Sequence, residues 1–301
     1  MHDDVITRRF EEHRPQLRAV AYRMLGSATE ADDAVQEAWL RLQRTDATEV
    51  DNLGAWLTTV VSRVCLNVLR ARAVRRAEPF DDATDRLPDM IVSLDGTDPE
   101  DAATLADSVG LALLVVLDAL SPAERLAFVL HDMFGVPFDE IAPVLDRSEA
   151  ATRQLASRAR RRVRRSAPTP DRDLGRQREV VDAFFAAARD GDFDRLVGVL
   201  HPDVVVRVDA GPRQGPPLVF HGAEVAASRA TSFADPARTV VPAVVNGGAG
   251  VVITQAGRVV TVMAFTVVDG QVVEIDTLTD PERLASVQAA LPNTGPASGE
   301  G

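Results

Sequence analysis

Arginine side chains crowd one short stretch of the chain, where their chemistry would suit nucleic-acid binding. Seven arginines lie between residues 153 and 165. Arginine and glutamine can each form paired hydrogen bonds with base edges, so Arg153 and Gln154 are candidates for base recognition. The later arginines suit phosphate groups, which position a protein without reading sequence. The alternative is a solvated helix end, where cations suit the helix dipole. So many arginines in an acidic protein favour the DNA interpretation.

A second set of reactive side chains lies in the C-terminal half. Asp209, Asp276, His201 and His221 are the available general acids or bases, but such chemistry needs a group placed in an apolar cavity. None stands in a motif, since His201-Pro202-Asp203 is interpreted as a turn and Asp276 as a strand-end residue. The sequence also has no metal-ligand cluster, nucleophile elbow or phosphate loop. We therefore predict no catalytic residue, no bound metal and no cofactor.

Two short helices with a tight corner must position the arginines. Residues 138–145 have apolar side chains at helical spacing, and Asp146-Arg147 forms the corner. Ser148 is a suitable N-cap for the second helix. One narrow stripe of that helix is expected to be buried, and it consists of Thr152, Ala156, Ala159 and Val163. The pattern predicts a helix-turn-helix whose second helix fits a major groove.

The rest of the N-terminal half is predicted to be helical. Amphipathic helices are expected over residues 3–25, 27–44 and 52–76, followed by two more within 108–134. Capping boxes are predicted at Ser27 with Glu30 and at Ser121 with Glu124. Trp56 could stack on a base, but we interpret it as a core residue.

The chain changes character twice. Residues 78–107 are acidic and contain three prolines, which predicts an extended, solvated linker. Residues 167–175 form a short hinge. Beyond it, 176–291 begins with helices, continues with six strands joined by glycine turns at 247–248, 256–257 and 269–270, and closes with a helix. We expect an α+β domain with a curved antiparallel sheet, and a disordered tail over 292–301.

Composition limits the class of protein. Net charge is −12, with 33 basic residues that are all arginine and 45 acidic residues, which argues against a general nucleic-acid binder. The single cysteine, Cys65, excludes a disulfide within the chain. The longest apolar run, 109–117, is too short to span a bilayer, and residues 1–14 lack a signal-peptide core. We expect a cytoplasmic protein with no membrane partner.

Residues 1–166 resemble an extracytoplasmic-function (ECF) sigma factor of bacterial RNA polymerase. Three segments carry the resemblance: ATEADDAVQEAWLRL is similar to region 2.2, AWLTTVVSRVCLNVLRARAVRR to regions 2.3 and 2.4, and the stretch from LSPAERLAFVLHDMF to ATRQLASRARRRV to region 4. The resemblance implies two all-α sigma domains, region 2 over 1–77 and region 4 over 108–166. The linker would then thread through the polymerase near the active-site and RNA-exit path.

The same resemblance implies partners and roles. The partners are core RNA polymerase, through its β′ clamp and β flap, and promoter DNA. Residues implied to dock on the clamp are Asp32, Asp33, Gln36 and Glu37. Residues implied to face the −10 element are Thr59, Arg63, Asn67 and Arg70, with Asn67 at a position where the family often has aspartate. Residues implied to contact the −35 element are Ser148, Glu149, Arg153, Gln154, Ser157, Arg158 and Arg161.

Residues 176–291 resemble the SnoaL-like branch of the nuclear-transport-factor-2-like superfamily. The features are DFDRLVGVLHPDVVVRVDAG, FHGAEVAA and the strand-rich stretch that ends in DTLTDPERL. Sigma factors with this extension often carry Asp-Gly-Gly-Gly-Lys and Asn-Pro-Asp-Lys-Leu, where this chain has altered versions. Residues at these positions are candidates for regulatory contacts: Asp209, Arg213, Asp280, Pro281, Arg283 and Leu284.

These observations predict an alternative sigma factor regulated in cis by intramolecular contact between its sigma domains and its C-terminal domain. A small-molecule ligand of that domain is possible. One alternative is a ligand-responsive helix-turn-helix regulator that needs no polymerase, although such a protein has no use for a region 2.2-like helix. A second alternative is a promoter-binding protein fused to an enzyme of polyketide-cyclase type, which rests on fold analogy.

Overall fold

The computed structural model describes residues 2–45, 51–76, 86–94, 110–230, 235 and 237–291. The chain forms two compact units, each assembled from two separate stretches. The helical unit comprises Met1–Asp81 and Leu113–Ala167, and the sheet unit comprises Asp82–Ala112 and Pro168–Gly301. The described part of the acidic segment, residues 86–94, therefore belongs to the sheet unit. The rest of that segment and residues 292–301 lie outside the described residues.

The helical unit begins with three amphipathic helices where the sequence predicts them. They are α1 (His2–Leu25), α2 (Ala28–Leu42) and α3 (Leu53–Arg76). Each contributes an apolar face to a common core that includes Leu17, Val20, Leu57 and Val61. Cys65 is fully buried there, and burial raises the pKa of its thiol to about 12. The thiol is therefore protonated and unreactive, as expected of a small core residue.

One of the two predicted capping boxes is wrong. Ser121 accepts a hydrogen bond from the amide of Glu124, whose side chain accepts one in return, so this box is confirmed. Ser27 precedes α2, but its side chain makes no capping hydrogen bond. The Glu30 carboxylate is instead paired with the Arg72 guanidinium of α3. An ionised partner bonds a carboxylate more strongly than a backbone amide does, which accounts for the difference.

The second half of the helical unit contains four further helices. They are α4 (Leu111–Asp118), α5 (Pro122–Phe128), α6 (Phe138–Leu145) and α7 (Glu149–Ser166). A single π-helical turn, Val129–Met133, extends α5. The α5 and α6 helices pack against α3, and the π turn packs against α1. The predicted region 2 and region 4 segments thus share one core.

The sheet unit contains a seven-stranded sheet in the order β1-β4-β5-β6-β7-β2-β3. The strands are β1 (Val92–Leu94), β2 (Leu200–Asp209), β3 (Leu218–His221), β4 (Arg238–Val245), β5 (Gly248–Gln255), β6 (Arg258–Val268) and β7 (Gln271–Leu278). The prediction of helical sigma domains followed by an α+β domain is confirmed.

Two details of the sheet differ from the prediction. The β2 strand pairs with β7 in parallel, whereas the other pairs are antiparallel, so the sheet is mixed. The His201-Pro202-Asp203 segment lies within β2, at an irregularity between Leu200 and Val205, and does not form a turn. Proline is tolerated there because a bulge leaves its position out of the hydrogen-bonded ladder.

Three hairpin turns join β4 to β7, each with two residues in the left-handed region. They are Asn246-Gly247, Ala256-Gly257 and Asp269-Gly270. Consecutive positive φ angles are typical of type I′ turns, which match the twist of the flanking strands. The first turn lies one residue earlier than predicted, since Gly248 already begins β5.

Four helices complete the sheet unit: α8 (Leu174–Asp190), α9 (Phe193–Val199), α10 (Ala223–Ala230) and α11 (Pro281–Ala290). The core between α8 and the sheet contains Phe184, Phe185 and Phe265, whose rings meet edge to face at 5.3–5.9 Å. The α11 helix packs against β6. Among the described helices, none combines the length and apolar character that crossing a membrane requires.

Candidate nucleic-acid interface and linker site

The α7 helix presents the arginines as a continuous outer surface. Asp146 adopts a left-handed conformation at the corner before it. The Ser148 hydroxyl then accepts a hydrogen bond of 3.3 Å from the amide of Ala151. The inner side of α7 is Thr152, Leu155, Ala156 and Ala159, whereas Val163 is only half-buried. The predicted stripe therefore stops one turn early and includes Leu155, which the pattern missed.

The outer surface of α7 divides into a paired and an unpaired group of cations. Arg153 is paired with Glu149, Arg158 with Glu124 at 3.1 Å, and Arg160 with Asp132 at 2.9 Å. Among the described residues, no carboxylate forms an ion pair with the cations farther along the helix, Arg161, Arg164 and Arg165. Both Arg153 and Gln154 are exposed, and Ser157 is half-buried.

A basic groove runs beside the C-terminal half of α7. Its volume is about 610 Å³, and its lining is Glu124, Arg158, Arg161, Arg162, Arg164, Arg165 and Ser166. Burial alone would raise the pKa of Glu124, but hydrogen bonds from Ser121 and Arg158 outweigh it and lower that pKa. Glu124 is therefore ionised and pairs with Arg158 and, at 3.8 Å, with Arg162. The other arginines of the groove, Arg161, Arg164 and Arg165, are exposed to solvent.

The predicted −10 side chains occupy one face of α3. Arg63, Asn67 and Arg70 are exposed, at a spacing that places them on one side of the helix. Thr59 is half-buried and lines a small cavity of about 190 Å³, which it shares with Glu140 of α6. Thr59 thus faces the helix-turn-helix, and the other three face solvent. Trp56, interpreted as a core residue, is half-buried.

The predicted polymerase-docking side chains lie on α2. Asp32, Asp33 and Gln36 are exposed, and Glu37 is half-buried. Asp32 makes a two-point ion pair with Arg18 of α1, the closer contact being 2.6 Å. Glu37 is 2.9 Å from Arg41 one turn along. Among the described residues, none pairs with the side chains of Asp33 and Gln36, so these two offer the unengaged polar groups of this face.

Asp209 organises a site that the sequence only partly indicated. Its carboxylate is fully buried at the end of β2. One oxygen accepts from the Arg86 guanidinium at 2.7 Å and from the Gly211 amide at 3.1 Å. The other accepts from the Leu87 amide at 3.1 Å and from the Arg283 guanidinium at 2.9 Å. Two of the four donors thus come from the acidic segment.

Further contacts hold the same segment along its length. Arg283 also donates to the Pro88 carbonyl at 2.9 Å and to the Asp89 carboxylate at 3.0 Å. The Asn246 side-chain oxygen accepts from the Ile91 amide, and the Asn246 amide donates to the Ile91 carbonyl. After Ile91, strand β1 pairs antiparallel with β4 at the edge of the sheet, with Ser93 opposite Val244. Leu87 and Met90 are each only 5% exposed.

We call residues 86–94 the docked linker, and Asp209, Arg283, Asn246 and strand β4 the linker site. These nine residues do not form the solvated linker that the sequence predicted for 78–107. The sequence carried a usable signal, since the apolar run MIVSL at 90–94 suits a strand. The buried Asn246 and the linker residue Arg86 were missed, because nothing local marks either as part of a site.

The other predicted regulatory residues belong to the same unit as the linker site. The hydrogen bonds and ion pairs described for them below are made within the sheet unit and not with the docked linker. Asp280 caps α11 by accepting from the Glu282 amide, Pro281 is its first residue, and Leu284 is buried. Arg213 is 85% exposed and pairs with Glu282 at 2.9 Å. Gly211 is left-handed, and a side chain there would meet the Asp280 carboxyl group at 2.7 Å. Only glycine fits this loop.

The four candidate acids and bases do not come together. Asp209 is engaged with the docked linker. His201 accepts a hydrogen bond from the Asp203 amide, and His221 is exposed on β3. Asp276 lies inside β7 and not at a strand end. Arg207 contacts its carboxylate at 3.0 Å. In the described chain, no group of three metal-ligating side chains converges either.

A buried ion cluster occupies the face of the sheet around Asp276. Arg207 bridges Asp276 and Glu274, each at 3.0 Å. Burial raises the pKa of Asp276 to about 6, although Arg207 opposes the shift. For Arg207, burial lowers the pKa, but the two carboxylates outweigh it and raise that pKa. Arg207 thus pairs with one oxygen of each carboxylate.

Comparison with known proteins supports both halves of this arrangement. Residues 9–75 match the family model for Sigma-70 region 2, and residues 110–163 match that for Sigma-70, region 4. The chain is 36% identical to a probable ECF RNA polymerase sigma factor, SigI, of Mycobacterium tuberculosis (strain CDC 1551 / Oshkosh), over 96% of this chain and 98% of that protein. It is 47% identical to the ECF sigma factor SigJ of Mycobacterium tuberculosis (strain ATCC 25618 / H37Rv), over 67% of this chain and 64% of SigJ.

A solved structure shares the architecture over both units. The crystal structure of the Mycobacterium tuberculosis extracytoplasmic-function sigma factor SigJ matches with a TM-score of 0.73 and 36% identity. The match covers 93% of this chain and 98% of that one. The helices before residue 167 and the sheet after it are therefore similar to those of one continuous solved protein.

Proposed function

The chain belongs to the ECF RNA polymerase sigma factors, and from this premise we propose how its two units divide the work. It is an alternative sigma factor that binds core RNA polymerase and promoter DNA and directs transcription initiation. The helical unit supplies the polymerase and promoter contacts. The sheet unit regulates them in cis by holding the linker, and it is not an enzyme.

The observation that carries this proposal is the burial of the docked linker. The same stretch that joins region 2 to region 4 supplies Arg86, the Leu87 amide and strand β1 to the linker site. The family resemblance implies that this linker threads through the polymerase. Nine residues cannot lie on the linker site and inside the polymerase at once. We therefore infer that initiation requires the linker to leave the sheet unit.

The helical unit must also rearrange. The −10 and −35 elements lie, as their numbering states, about 25 base pairs apart, which is on the order of 80 Å at about 3.4 Å per base pair. A unit of this size is roughly 35–40 Å across. With α5 and α6 packed on α3, the side chains of α7 and α3 cannot reach both elements. Arg125 supports this closed packing, since it is 1% exposed and donates to the Arg23 carbonyl of α1 and to Asp118.

The assignments within the helical unit follow from exposure. We propose that Arg153 and Gln154 read −35 base edges and that Arg161, Arg164 and Arg165 hold phosphates. Arg63, Asn67 and Arg70 would face the −10 element, together with Thr59 after the unit opens. Asp33 and Gln36, beside Asp32 and Glu37, would dock on the β′ clamp. Ser148, Glu149, Ser157 and Arg158 would position α7.

Run-off transcription with purified core polymerase and the chain's own upstream region tests the regulatory proposal. Arg283→Gln removes two hydrogen bonds to the docked linker, at Pro88 and Asp89, and one to Asp209. It should increase the yield of specific transcript several-fold over the unchanged chain. The matched control is Arg213→Gln, since Arg213 lies on the same unit and pairs with Glu282, with no ion pair to a described residue of the docked linker. It should leave the yield unchanged. Less transcript from Arg283→Gln, with core binding intact, would show instead that the linker site is required for initiation.

A second variant tests the same point from the linker side. Leu87→Asp places a charge where the side chain is buried, so it should release the linker and also raise the yield. If both variants leave transcription unchanged while hydrogen exchange shows residues 86–94 released, linker docking does not regulate initiation. Transcription itself by the unchanged chain tests the family function, so the two results are separable.

A further inference from the structure

The sheet unit encloses a cavity that neither the sigma function nor the linker site uses. Its volume is about 390 Å³, within the roughly 300–1,000 Å³ of small-molecule sites. It lies between the sheet and helices α8 and α10. Most of its wall is apolar, with Phe184 on α8, Val206 on β2, Met263 on β6 and Ile275 on β7. Val206 and Ile275 alternate with Arg207 and Asp276, so the cavity is on the opposite face of the sheet from the ion cluster.

The polar part of the wall has a defined composition. It consists of three hydroxyls, from Thr261, Thr277 and Thr279, and two guanidinium groups, from Arg229 and Arg238. Within the described part of the chain, the lining includes no carboxylate, histidine or cysteine. The cavity therefore offers cations and hydroxyl groups but no general base. Such a wall suits binding of an anion and does not suit acid–base catalysis.

Arg238 supplies the strongest indication of a ligand. Its Nε is buried and makes no hydrogen bond to any described residue. Among the described residues, the Asp235 carboxylate forms an ion pair with this guanidinium at 3.8 Å, a distance that is too long for a hydrogen bond to Nε. A buried, charged donor without an acceptor costs free energy, and an anionic ligand in the cavity would supply the acceptor.

Arg229 also lines this cavity, and a cation–π contact holds its side chain in place. Its guanidinium lies over the Phe220 ring, 3.5 Å from the ring centroid. This cation–π contact fixes the direction of a long side chain that would otherwise sample many rotamers. Two guanidinium groups thus border one apolar cavity, one of them fixed by stacking and the other with an unused buried donor.

We propose that this cavity binds a small organic anion with an apolar body, whose charged group pairs with Arg238 and Arg229. The apolar walls take the hydrocarbon body, and the threonine hydroxyls bond further oxygen atoms. Because the cavity and the linker site belong to the same unit, the ligand would be a second input to the sheet unit. The binding itself does not depend on the proposed regulation and is measured without polymerase.

Two fluorescent probes with the same ring system test the proposal on the full chain. 8-Anilinonaphthalene-1-sulfonate carries an anionic group, and N-phenyl-1-naphthylamine is its neutral counterpart. Arg238→Gln should raise the dissociation constant of the sulfonate about tenfold and change that of the neutral probe less than about twofold. Arg229→Gln should act in the same direction. The matched control is Arg176→Gln, since Arg176 is 79% exposed on α8 and does not line the cavity.

Two outcomes would contradict binding of an anion in this cavity. If Arg238→Gln and Arg176→Gln have the same effect on the sulfonate, the anion binds elsewhere, for instance on the basic groove beside α7. Equal weakening of both probes by Arg238→Gln would mean that the charge does not recognise the ligand. Ala230→Phe fills the cavity and should abolish binding of both probes. Circular dichroism of each variant checks that its fold is retained, and Arg238→Gln decides the question if Ala230→Phe does not fold.

Discussion

The outer face of α7 and the linker site use the same side chain, arginine, at opposite extremes of exposure. On α7 the cations Arg153 and Arg158 are 60% and 53% exposed, and their ion pairs are surface pairs. At the linker site Arg86 and Arg283 are 25% and 22% exposed and share a carboxylate that is fully buried. Exposed pairs contribute about 0–1 kcal/mol, so α7 can exchange its partners for phosphates at little cost.

The linker site cannot make that exchange so readily. Removing one partner from a buried ion pair leaves an uncompensated charge, which costs about 3–5 kcal/mol. The ion pairs on α7, which we propose are exchanged for DNA contacts, must be easy to give up, whereas a contact that holds a segment of the chain must resist thermal opening. Exposure therefore separates the two kinds of arginine, although the sequence alone shows only their number.

The largest effect is expected from Asp209→Ala. The variant leaves Arg86, Arg283 and two backbone amides without their acceptor, so the free energy of unfolding of the sheet unit should fall by about 3 kcal/mol. Hydrogen exchange at residues 86–94 and β2 would measure the loss. Asp203→Ala is the control, since Asp203 is an exposed carboxylate on the same strand. Equal exchange in the two variants would contradict a holding role for Asp209.

The second prediction concerns pH and the buried cluster. Because burial raises the pKa of Asp276 to about 6, the folded chain retains a proton there that the unfolded chain releases near pH 4. The contribution of Asp276 to stability is thus complete below about pH 4 and is lost as pH rises through about 6.

An asparagine side chain cannot ionise, so Asp276→Asn should remove this dependence. The stability of the unchanged chain relative to the variant should fall by up to about 3 kcal/mol between pH 4 and pH 7. Urea unfolding followed by far-ultraviolet circular dichroism measures it. Both tryptophans and the single tyrosine lie in the helical unit, so fluorescence would miss the change. A constant difference across this range would show that Arg207 keeps Asp276 ionised throughout.

The third prediction concerns base recognition by α7. Gln154→Ala should weaken binding to the preferred −35 sequence by about 1–2 kcal/mol and leave binding to unrelated DNA unchanged, because a base contact carries specificity. Fluorescence anisotropy with duplexes that differ only in the −35 element, using the polymerase holoenzyme, measures both. An equal loss on every duplex would assign Gln154 to the DNA backbone.

The smallest effect is expected from Arg161→Ala. Arg161 is exposed and makes no ion pair with a described residue, so its removal should not affect folding. Binding should weaken uniformly across DNA sequences, and the slope of log affinity against log salt should decrease by about one. Arg160→Ala is the comparison, since Arg160 is engaged by Asp132 at 2.9 Å and should change the slope less.

The sequence predicted the elements of this protein far better than their assembly. Periodicity located α1 to α3 and α7, and alternating apolar residues located the strands from β2 to β7, since these signals are local. The parallel pairing of β2 with β7 is not local, and neither is the addition of β1 to β4 across about 140 residues. No pattern within a segment records which distant edge will bind it.

The candidate sites divide in the same way. Residue type and spacing were enough to nominate Arg153, Gln154 and Arg161, because a helix fixes its own outward face. Asp209 and Arg283 could be nominated only through family resemblance. Their partner Arg86 could not, since its role depends on a tertiary contact made 123 residues away in sequence.

The addition of β1 to β4 has a consequence for synthesis on the ribosome. The docked linker emerges before region 4, and the strand that receives it emerges about 140 residues later. At roughly 5–20 residues per second, the interval is on the order of 10–30 s. For that time a nascent chain has its region 2, its linker and then its region 4, but no surface to hold Leu87 and Met90. Every newly made molecule therefore passes through a brief state in which the linker site does not yet exist.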